Sequence, residues 1–270
     1  MSIKASRTLG QAEDGDETRP GDGYVQSFAR GLEVLRSFGA AAPAQTLSET
    51  AERVGMSRAG ARRILLTLHA LGYVVQDGRQ FRLTPKVMEL GFAYLSAQPW
   101  WSQAQPLMEE LTHQLGESTS AAVLDDDEIV YLLRTPVHKI MSIHLGVGSR
   151  LPAWCTSMGR VLLADLPQDE RTRRVLAMRL DARTPRTVTD PDKLLQTLSK
   201  VRQQGWALVN EELEPGLMSL AAPIRDRSGR VVAAINVSSR PQRQSASVMQ
   251  KNFLPPLIAV AERISALMPN

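Results

Sequence analysis

The sequence predicts an α+β fold of two domains: an N-terminal winged helix-turn-helix and a larger C-terminal domain built on an antiparallel sheet. Two patterns predict it. Between residues 47 and 83, two short helical patterns separated by a glycine are followed by two β-rich runs. From residue 105 onward, helical patterns alternate with short β-rich runs. A chain of 270 residues with 43% apolar content is long enough to form two cores of unequal size.

The helix-turn-helix pattern occupies residues 47–75. Its first helix begins near Leu47 and ends at Gly55, because glycine tolerates the left-handed conformation that a tight turn needs. Ser57 then has the form of an N-cap for a second helix with one apolar face. Away from that face the second helix carries three arginines, Arg58, Arg62 and Arg63. These arginines are placed to contact DNA.

A β-hairpin pattern follows the second helix. Residues 73–75 and 81–83 are β-rich, and Asp77-Gly78 between them is a strong turn signal. The hairpin is predicted to be the wing, whose tip commonly contacts the phosphate backbone or the minor groove. The predicted DNA-binding residues are therefore Ser57, Arg58, Gly60, Arg62, Arg63, Arg79 and Arg82. A helical hairpin with a solvated basic face is the alternative, and the order of the features favours DNA binding.

The positive charge of the chain is concentrated in this segment. Residues 24–85 contain eight arginines and four acidic residues, a net charge of +4, and the whole chain also has a formal net charge of +4. The rest of the chain is therefore neutral. A small domain that carries all of the basic excess is typical of a protein that binds a polyanion.

Composition excludes several other classes of protein. No apolar run reaches the about 18 residues that a membrane span requires, and the N-terminus lacks a secretory pattern, so no membrane partner and a cytoplasmic location are expected. The single cysteine cannot form an intrachain disulfide, and the four histidines do not cluster with it. Neither a metal site nor a cofactor is predicted.

Composition shifts along the chain predict the domain boundaries. Residues 1–23 are polar and are expected to form a disordered arm, and 24–85 form the winged helix-turn-helix DNA-binding domain, with its first helix over 25–38. Residues 86–104 are expected to form a linker helix, and 105–270 the effector-binding domain. Trp100 and Trp101, near the junction, suit either core packing or a dimer contact, and packing is favoured.

The sequence of the second domain, residues 105–270, predicts an alternation of strands and helices. The predicted strands are residues 120–124, 129–133, 141–145, 207–210, 220–224 and 231–237. The predicted helices are residues 107–115, 161–164, 171–178, 192–204 and 258–268. Four consecutive acidic residues, 125–128, lie between the first two strands. They are interpreted as a solvated turn rather than a metal site, because a metal needs oxygens that converge on one point.

The segment 150–167 has the features of an anion site. Thr156 and Ser157 can cap a helix that starts at about Met158, and the free N–H groups of a helix start favour a carboxylate or phosphate. Trp154 could supply an aromatic wall. The cations that could pair with an anion are Arg134, Arg150 and Arg160. An ordinary capped helix is an equally supported alternative, and no motif of a hydrolase, a P-loop protein or a zinc protease predicts an enzyme.

Four strings resemble a known family. SRAGARRILLTLHALGYV (57–74), IMSIHLGVGSRLPAWCTSMGRVLLA (140–164), NEELEPGLMSLAAPI (210–224) and AAINVSS (233–239) are similar to the isocitrate lyase regulator (IclR) family of bacterial transcription factors. More narrowly, the strings are similar to the subgroup that regulates the β-ketoadipate pathway, and the likeness to the family covers roughly residues 24–267. The resemblance implies a GAF-like ligand-sensing domain and a homodimer or homotetramer on palindromic double-stranded DNA. It also implies control of aromatic-acid catabolism by a small aromatic or dicarboxylic acid effector.

The resemblance also implies the residues of the effector pocket. They are Thr156, Ser157, Met158, Asn210, Ser219, Asn236 and Ser238. Trp154, the aromatic wall proposed above, completes the predicted set. Asn210 departs from the aspartate often found there, and Ala59-Gly60 replaces a frequent Ser-Thr pair, so base contacts depend on the three arginines of the second helix. The alternative function is that of a small-molecule sensor whose basic domain binds RNA or a protein partner.

Overall fold

The computed structural model describes residues 23–97, 100–137, 145–242 and 245–268, and the chain divides into two compact units, Met1–Tyr94 and Leu95–Asn270. Apart from Gly23 and Leu145, the predicted arm (1–23) and the predicted strand 141–145 lie outside the described residues. Within the described ranges, every helix is too short or too polar to span a bilayer.

The N-terminal unit is the predicted winged helix-turn-helix. Its elements are α1 (Gln26–Arg36), β1 (Ala44–Thr46), α2 (Leu47–Arg53), α3 (Arg58–Ala70), β2 (Val74–Asp77) and β3 (Gln80–Leu83). The three strands form an antiparallel sheet in the order β1-β3-β2, so the hairpin gains an edge strand that the sequence did not predict. One core joins the helices to the wing, with buried side chains from Val34, Phe38, Leu65, Leu68, Val74 and Phe81.

Local chemistry fixes the two helices of the motif. Thr46 caps α2 reciprocally: its Oγ1 accepts from the Glu49 N–H at 3.3 Å, and the Glu49 carboxylate accepts from the Thr46 N–H at 2.7 Å. That backbone hydrogen bond lowers the pKa of Glu49. Gly55 then adopts φ +63° in the turn, which a residue with a side chain rarely does. These interactions confirm the predicted helix, turn and helix.

Two helices follow the wing. After a 3-10 turn at Pro85–Val87, α4 (Met88–Ser96) covers much of the predicted linker helix. Helix α5 (Trp100–Leu115) begins seven residues before the predicted 107. Trp100 and Trp101 are 2% and 5% exposed in the core of the C-terminal unit, which agrees with the packing interpretation.

The C-terminal unit contains a six-stranded antiparallel sheet in the order β6-β5-β4-β9-β8-β7. Its strands are β4 (Ser118–Asp125), β5 (Glu128–Thr135), β6 (Arg150–Pro152), β7 (Ala207–Asn210), β8 (Met218–Arg225) and β9 (Val231–Ser239). Its remaining helices are α6 (Ser157–Asp165), α7 (Gln168–Ala177), α8 (Pro191–Gln204) and α9 (Ala246–Ala266). One face of the sheet packs with α5 and α9, and the other packs with α6 and its neighbour α8.

Helix α9 is almost twice as long as the predicted helix 258–268. It begins at Ala246, with the Ser245 Oγ accepting from the Val248 N–H at 3.3 Å, and it continues through Pro255 and Pro256. Prolines inside a helix remove hydrogen bonds, which is why the sequence predicted a later start. The helix forms nonetheless because an apolar face that includes Met249 is buried against the sheet along its length.

Candidate functional sites

The first candidate site is the exposed side of α3. The Ser57 Oγ accepts from the Gly60 N–H at 3.1 Å, so Ser57 is the predicted N-cap. Leu65 is buried, whereas the three arginines of the helix are exposed: Arg58, Arg62 and Arg63. Among the described residues, no carboxylate lies within ion-pair distance of these three guanidinium groups. Their charge is therefore available to an anionic surface.

The wing presents its two arginines differently. Gly78 adopts φ +60° in the turn between β2 and β3, and Arg79 follows it at the exposed tip. Arg82 instead forms an ion pair with Asp77 across the hairpin. Arg79 is thus the stronger candidate for a phosphate contact, because the charge of Arg82 is already partly neutralised.

The second candidate site is a buried cavity in the C-terminal unit, between the sheet and the start of α6. It is small and leaves about 20 Å³ for the centre of a water-sized sphere, which is room for a few water molecules. Its described lining residues are Tyr131, Cys155, Thr156, Ser157, Met158, Val209, Leu213, Leu217, Ser219, Asn236 and Ser238. This lining combines hydroxyl and amide groups with apolar side chains, as small-molecule sites do.

Strand register explains why residues distant in sequence meet in this cavity. Ser219 pairs with Ser238 across β8 and β9, and Asn236 is two residues from Ser238, so all three side chains lie on one face. Tyr131 on β5 pairs with Ala122, whose position on β4 puts it on the same face. The cavity floor is therefore a polar patch on an otherwise apolar sheet face.

The wall facing this patch is the first turn of α6. The Thr156 Oγ1 accepts from the Gly159 N–H at 3.2 Å, as predicted for a cap. In the part of the chain that the structure describes, no acceptor contacts the backbone N–H groups of Ser157 and Met158. A helix start with free N–H groups carries a partial positive charge, which favours an anion.

Gly159 allows the loop before α6 to lie against the helix. A Cβ atom at this position would be 2.2 Å from the carbonyl oxygen of Ala153, which is too close for any side chain. Gly159 has no distinctive sequence signal, because a glycine within a helical pattern normally indicates only a weak helix.

Two polar atoms of the lining have no hydrogen-bond partner among the described residues. They are the Ser157 Oγ and the Asn236 Oδ1, on side chains that are 1% and 4% exposed. The amide nitrogen of Asn236 is occupied, since it donates to the Ser238 Oγ at 3.2 Å. Buried polar atoms without partners are unfavourable and uncommon. A polar ligand in this cavity would give both atoms a partner.

The titratable groups of the lining are uncharged at neutral pH. Burial raises the pKa of Tyr131 to about 12 and the pKa of the Cys155 thiol to about 11. An anion in the cavity would therefore meet neutral donors and the helix start rather than a like charge.

The three arginines proposed as anion partners have different surroundings. Arg150 pairs with Asp125 at 2.7 Å and Glu128 at 2.6 Å, so it neutralises the acidic turn. Arg160 pairs with Glu212. Only Arg134, opposite Ser120 in the sheet, shares the cavity face. Within the described ranges, no group of acidic, histidine or cysteine side chains has metal-binding geometry.

Six of the eight predicted pocket residues line the cavity: Thr156, Ser157, Met158, Ser219, Asn236 and Ser238. The structure does not bring the other two there. Trp154 is buried in the apolar core on the α6 side. Asn210 pairs with Met218 and so faces away from its neighbour Val209, which does line the cavity.

Some residues that line the cavity were not predicted from the sequence, chiefly Tyr131, Cys155 and Val209. Tyr131 and Val209 are strand residues whose types are common in any sheet. Cys155 lies next to the predicted cap, and its position in that segment was the one available signal.

Comparisons with known proteins identify both units. The sequence matches the IclR helix-turn-helix domain over residues 27–78 and the C-terminal domain of the bacterial transcriptional regulator IclR over residues 92–266. The Pca regulon regulatory protein of Pseudomonas putida is 43% identical over 239 residues, which cover 88% of this chain and 82% of that protein.

Solved structures agree in fold. A transcriptional regulator from Rhodococcus sp. RHA1 matches with a TM-score of 0.79 and 44% identity, covering 91% of this chain and 98% of that one. An IclR homologue from Microbacterium hydrocarbonoxydans was crystallised in complex with 4-hydroxybenzoate. It matches with a TM-score of 0.77 and 28% identity, covering 89% of this chain and 98% of that one. The family that the sequence motifs indicated is confirmed: the chain belongs to the IclR family of bacterial transcriptional regulators.

Proposed function

We propose that this regulator controls the catabolism of aromatic acids through the β-ketoadipate pathway and responds to a small aromatic or dicarboxylic acid. The observation that carries the proposal is the cavity. There the Ser157 Oγ and the Asn236 Oδ1, which have no partner among the described residues, lie near the N–H groups at the start of α6. Support comes from the Pca regulon regulator of Pseudomonas putida and from the homologue bound to 4-hydroxybenzoate.

The chemistry of the cavity suits an acid with an apolar body. The carboxylate would accept hydrogen bonds from the N–H groups of Ser157 and Met158, where the helix dipole also favours it. Arg134 on the same sheet face would add a charge-assisted contact. A hydroxyl or second polar group would bond to Asn236, and the apolar body would pack against side chains such as Leu217.

A thermal-shift panel tests the effector class. The protein is heated with protocatechuate, 4-hydroxybenzoate, β-ketoadipate, muconate and unrelated anions such as sulfate, since a ligand that binds the folded state raises Tm. We expect a selective rise with one pathway acid, retained in Ser199→Ala, an exposed control on α8, and reduced in Ser238→Ala. No rise with any of these acids would overturn the proposed effector class.

We propose that α3 reads operator DNA in the major groove through Arg58, Arg62 and Arg63, with Ser57 and Gly60 at its start. Guanine is the usual bidentate partner of such arginines. Arg79 at the wing tip, and Arg82 beside it, would contact phosphates. Specific retention of a palindromic duplex is expected, and equally tight binding to unrelated RNA would contradict this proposal.

We also infer that the protein is a homodimer or a homotetramer. Helix α1 exposes Phe28, and α4 exposes Met88 and Phe92, at 68%, 75% and 71% respectively. Exposed apolar side chains of this size on two helices of one small unit are typical of an interaction surface. Sedimentation equilibrium should show an oligomer that Phe28→Glu with Phe92→Glu dissociates, whereas a monomeric wild-type protein at micromolar concentration would overturn the inference.

Effector and operator binding are proposed to be coupled through the linker helix. A dimer reads two half-sites about one helical turn apart, so a change in the spacing of its two DNA-binding domains alters operator affinity. Thermodynamic linkage makes the effect reciprocal: the factor by which the effector changes DNA affinity equals the factor by which DNA changes effector affinity. An operator affinity that is the same without effector and at saturating effector would contradict the coupling.

A further inference from the structure

A buried ion pair joins the two sides of the effector cavity. The Arg160 Nη1 and Nη2 donate to the two carboxylate oxygens of Glu212 at 2.7 and 2.6 Å, and the two residues are 3% and 9% exposed. Arg160 follows the cavity-lining first turn of α6, and its Nε also donates to the Trp154 carbonyl at 2.9 Å. Glu212 belongs to the loop 211–217, from which Leu213 and Leu217 line the cavity.

Glu212 also holds the segment that leads into α8. Its Oε2 accepts from the Val188 N–H at 3.1 Å, and its backbone carbonyl accepts from the Thr187 hydroxyl at 2.6 Å. The neighbouring Glu211 carbonyl accepts from the Thr184 hydroxyl, also at 2.6 Å. One carboxylate therefore connects the loop 211–217 to the start of α6 and to the segment 184–188.

Entry of a ligand requires one wall of the cavity to move. The lining is largely buried and leaves only about 20 Å³ for the centre of a water-sized sphere, so a benzoate-sized acid enters when part of the lining is displaced. The floor belongs to strands that are hydrogen-bonded on both sides, such as β8 and β9. The loop 211–217 lacks such a ladder: its internal backbone bonds are Glu211 N–H to Leu217 O and Leu217 N–H to Glu214 O. Displacing this loop breaks fewer backbone hydrogen bonds than displacing a central strand.

We propose that Arg160 and Glu212 are a positioning pair that holds the loop 211–217 closed over the cavity and thereby sets how readily a ligand enters. The pair contacts no ligand in this scheme and acts through the position of the loop. The proposal rests on the proposed function only in naming the cavity as the effector site. Opening of the loop is a property of the free protein and is measured without an effector.

The chain contains its own reporter of this opening. Cys155 is the single cysteine of the sequence, is fully buried and lines the cavity. Iodoacetamide, a small uncharged reagent, can reach its sulfur only when the cavity opens, so the alkylation rate measured by intact mass reports the open fraction. Burial also keeps the thiol protonated, which makes the closed form still less reactive.

The variants separate a loose loop from a less stable fold. Glu212→Gln keeps the shape of the side chain and removes its charge. The double variant Arg160→Met with Glu212→Leu replaces both charges with apolar groups, a change that often preserves stability while it removes the hydrogen bonds to the loop. Glu170→Gln is the matched control, because it removes the same charge from the half-buried pair that Glu170 forms with Arg174 on α7, away from the cavity lining.

We expect alkylation of Cys155 to be about tenfold faster or more in Glu212→Gln and in the double variant, and unchanged in Glu170→Gln, under conditions where all four proteins are folded. Wild-type rates in both folded pair variants would overturn the proposal. Rates that follow the global unfolding free energy in every variant, the control included, would overturn it as well. Failure of every pathway acid in the thermal-shift panel would overturn the effector class and leave the alkylation result standing.

Discussion

Helices α3 and α6 begin with the same local arrangement in opposite surroundings. In each, a hydroxyl caps the helix and accepts from a glycine three residues later, Ser57 from Gly60 at 3.1 Å and Thr156 from Gly159 at 3.2 Å. The α3 start is exposed, whereas the α6 start is buried. The first presents arginines to solvent, and the second presents free N–H groups to a closed cavity.

This comparison shows that a capping motif alone does not determine what a helix start binds. An exposed start surrounded by arginines suits an extended polyanion whose counterions are released on binding. A buried start suits one small anion, because each hydrogen bond is stronger away from water. The tertiary fold supplies these surroundings and so determines which kind of anion each helix start binds.

The two glycines provide the most severe test of that difference. In Gly159→Ala the new Cβ would be 2.2 Å from a backbone oxygen, so we expect a loss of about 3 kcal/mol or more of unfolding free energy. In Gly60→Ala it would be 3.2 Å from the Ser57 hydroxyl, and the gain in helix propensity should keep the change within about 1 kcal/mol.

Urea unfolding measures both variants. The four tryptophans, Trp100, Trp101, Trp154 and Trp206, all lie in the C-terminal unit, so their fluorescence reports that unit alone, and circular dichroism reports both. Equal losses in the two glycine variants would contradict the assigned environments.

The exposed site should be separable from the buried one. Replacing Arg62 and Arg63 together with alanine should weaken operator binding about a hundredfold or more, since each bidentate base contact contributes about 1–3 kcal/mol. The effector-induced rise in Tm should remain. Fluorescence anisotropy of a labelled duplex measures the affinity, and the charge-matched control is Arg173→Ala with Arg179→Ala in the C-terminal unit. Equal weakening in the control would show that only net charge matters.

A substitution in the buried site should lower effector affinity without lowering the stability of the free protein. Ser157→Ala removes a hydroxyl that has no partner in the described structure, so the free protein should keep or gain stability. Effector affinity should fall about tenfold, because a hydrogen bond to a charged group contributes about 1.5–3 kcal/mol. Calorimetric titration and Tm of the free protein test the pair of effects. A destabilised free protein with unchanged affinity would make Ser157 a structural residue.

The smallest expected effect is alkaline destabilisation of the C-terminal unit. Burial raises the pKa of Cys155 from 9.0 to about 11, so above pH 9 the unfolded chain loses this proton while the folded chain keeps it. Stability is therefore constant below pH 9 and falls towards pH 11, by about 1 kcal/mol at pH 10. Burial also raises the pKa of Tyr131 to about 12, so its deprotonation in the unfolded chain extends the fall in stability towards pH 12. Tryptophan-detected unfolding should show a shallower decline in Cys155→Ala, and an unchanged decline would contradict the assignment to the thiol.

The fold of the N-terminal unit could be predicted because its signals are local. Gly55, Ser57 and the Asp77-Gly78 turn each fix the backbone within a few residues. Strand β1 could not be predicted, because its three residues show no periodicity and it forms only by pairing with β3. The start of α9 was predicted too late in the sequence, because burial against the sheet outweighs the cost of two internal prolines.

The cavity could be predicted only in part, for a related reason. Residues next to one another in sequence, such as Thr156 and Ser157, were found through the helix start that they form. Tyr131 and Val209 reach the cavity through the register of the sheet, which the sequence alone does not specify. Asn210 was assigned to the pocket by resemblance, and the same register turns its side chain away.

The Ser157 Oγ and the Asn236 Oδ1, which lack a partner within the described ranges, have an evolutionary consequence. Substitutions that replace them with apolar residues are expected to stabilise the fold, so only selection for ligand binding opposes those substitutions. In a lineage that no longer encounters the effector, genetic drift should therefore convert these positions to alanine, leucine or valine before it affects the rest of the core. The polarity of these two positions among related chains would then record which lineages still use the signal.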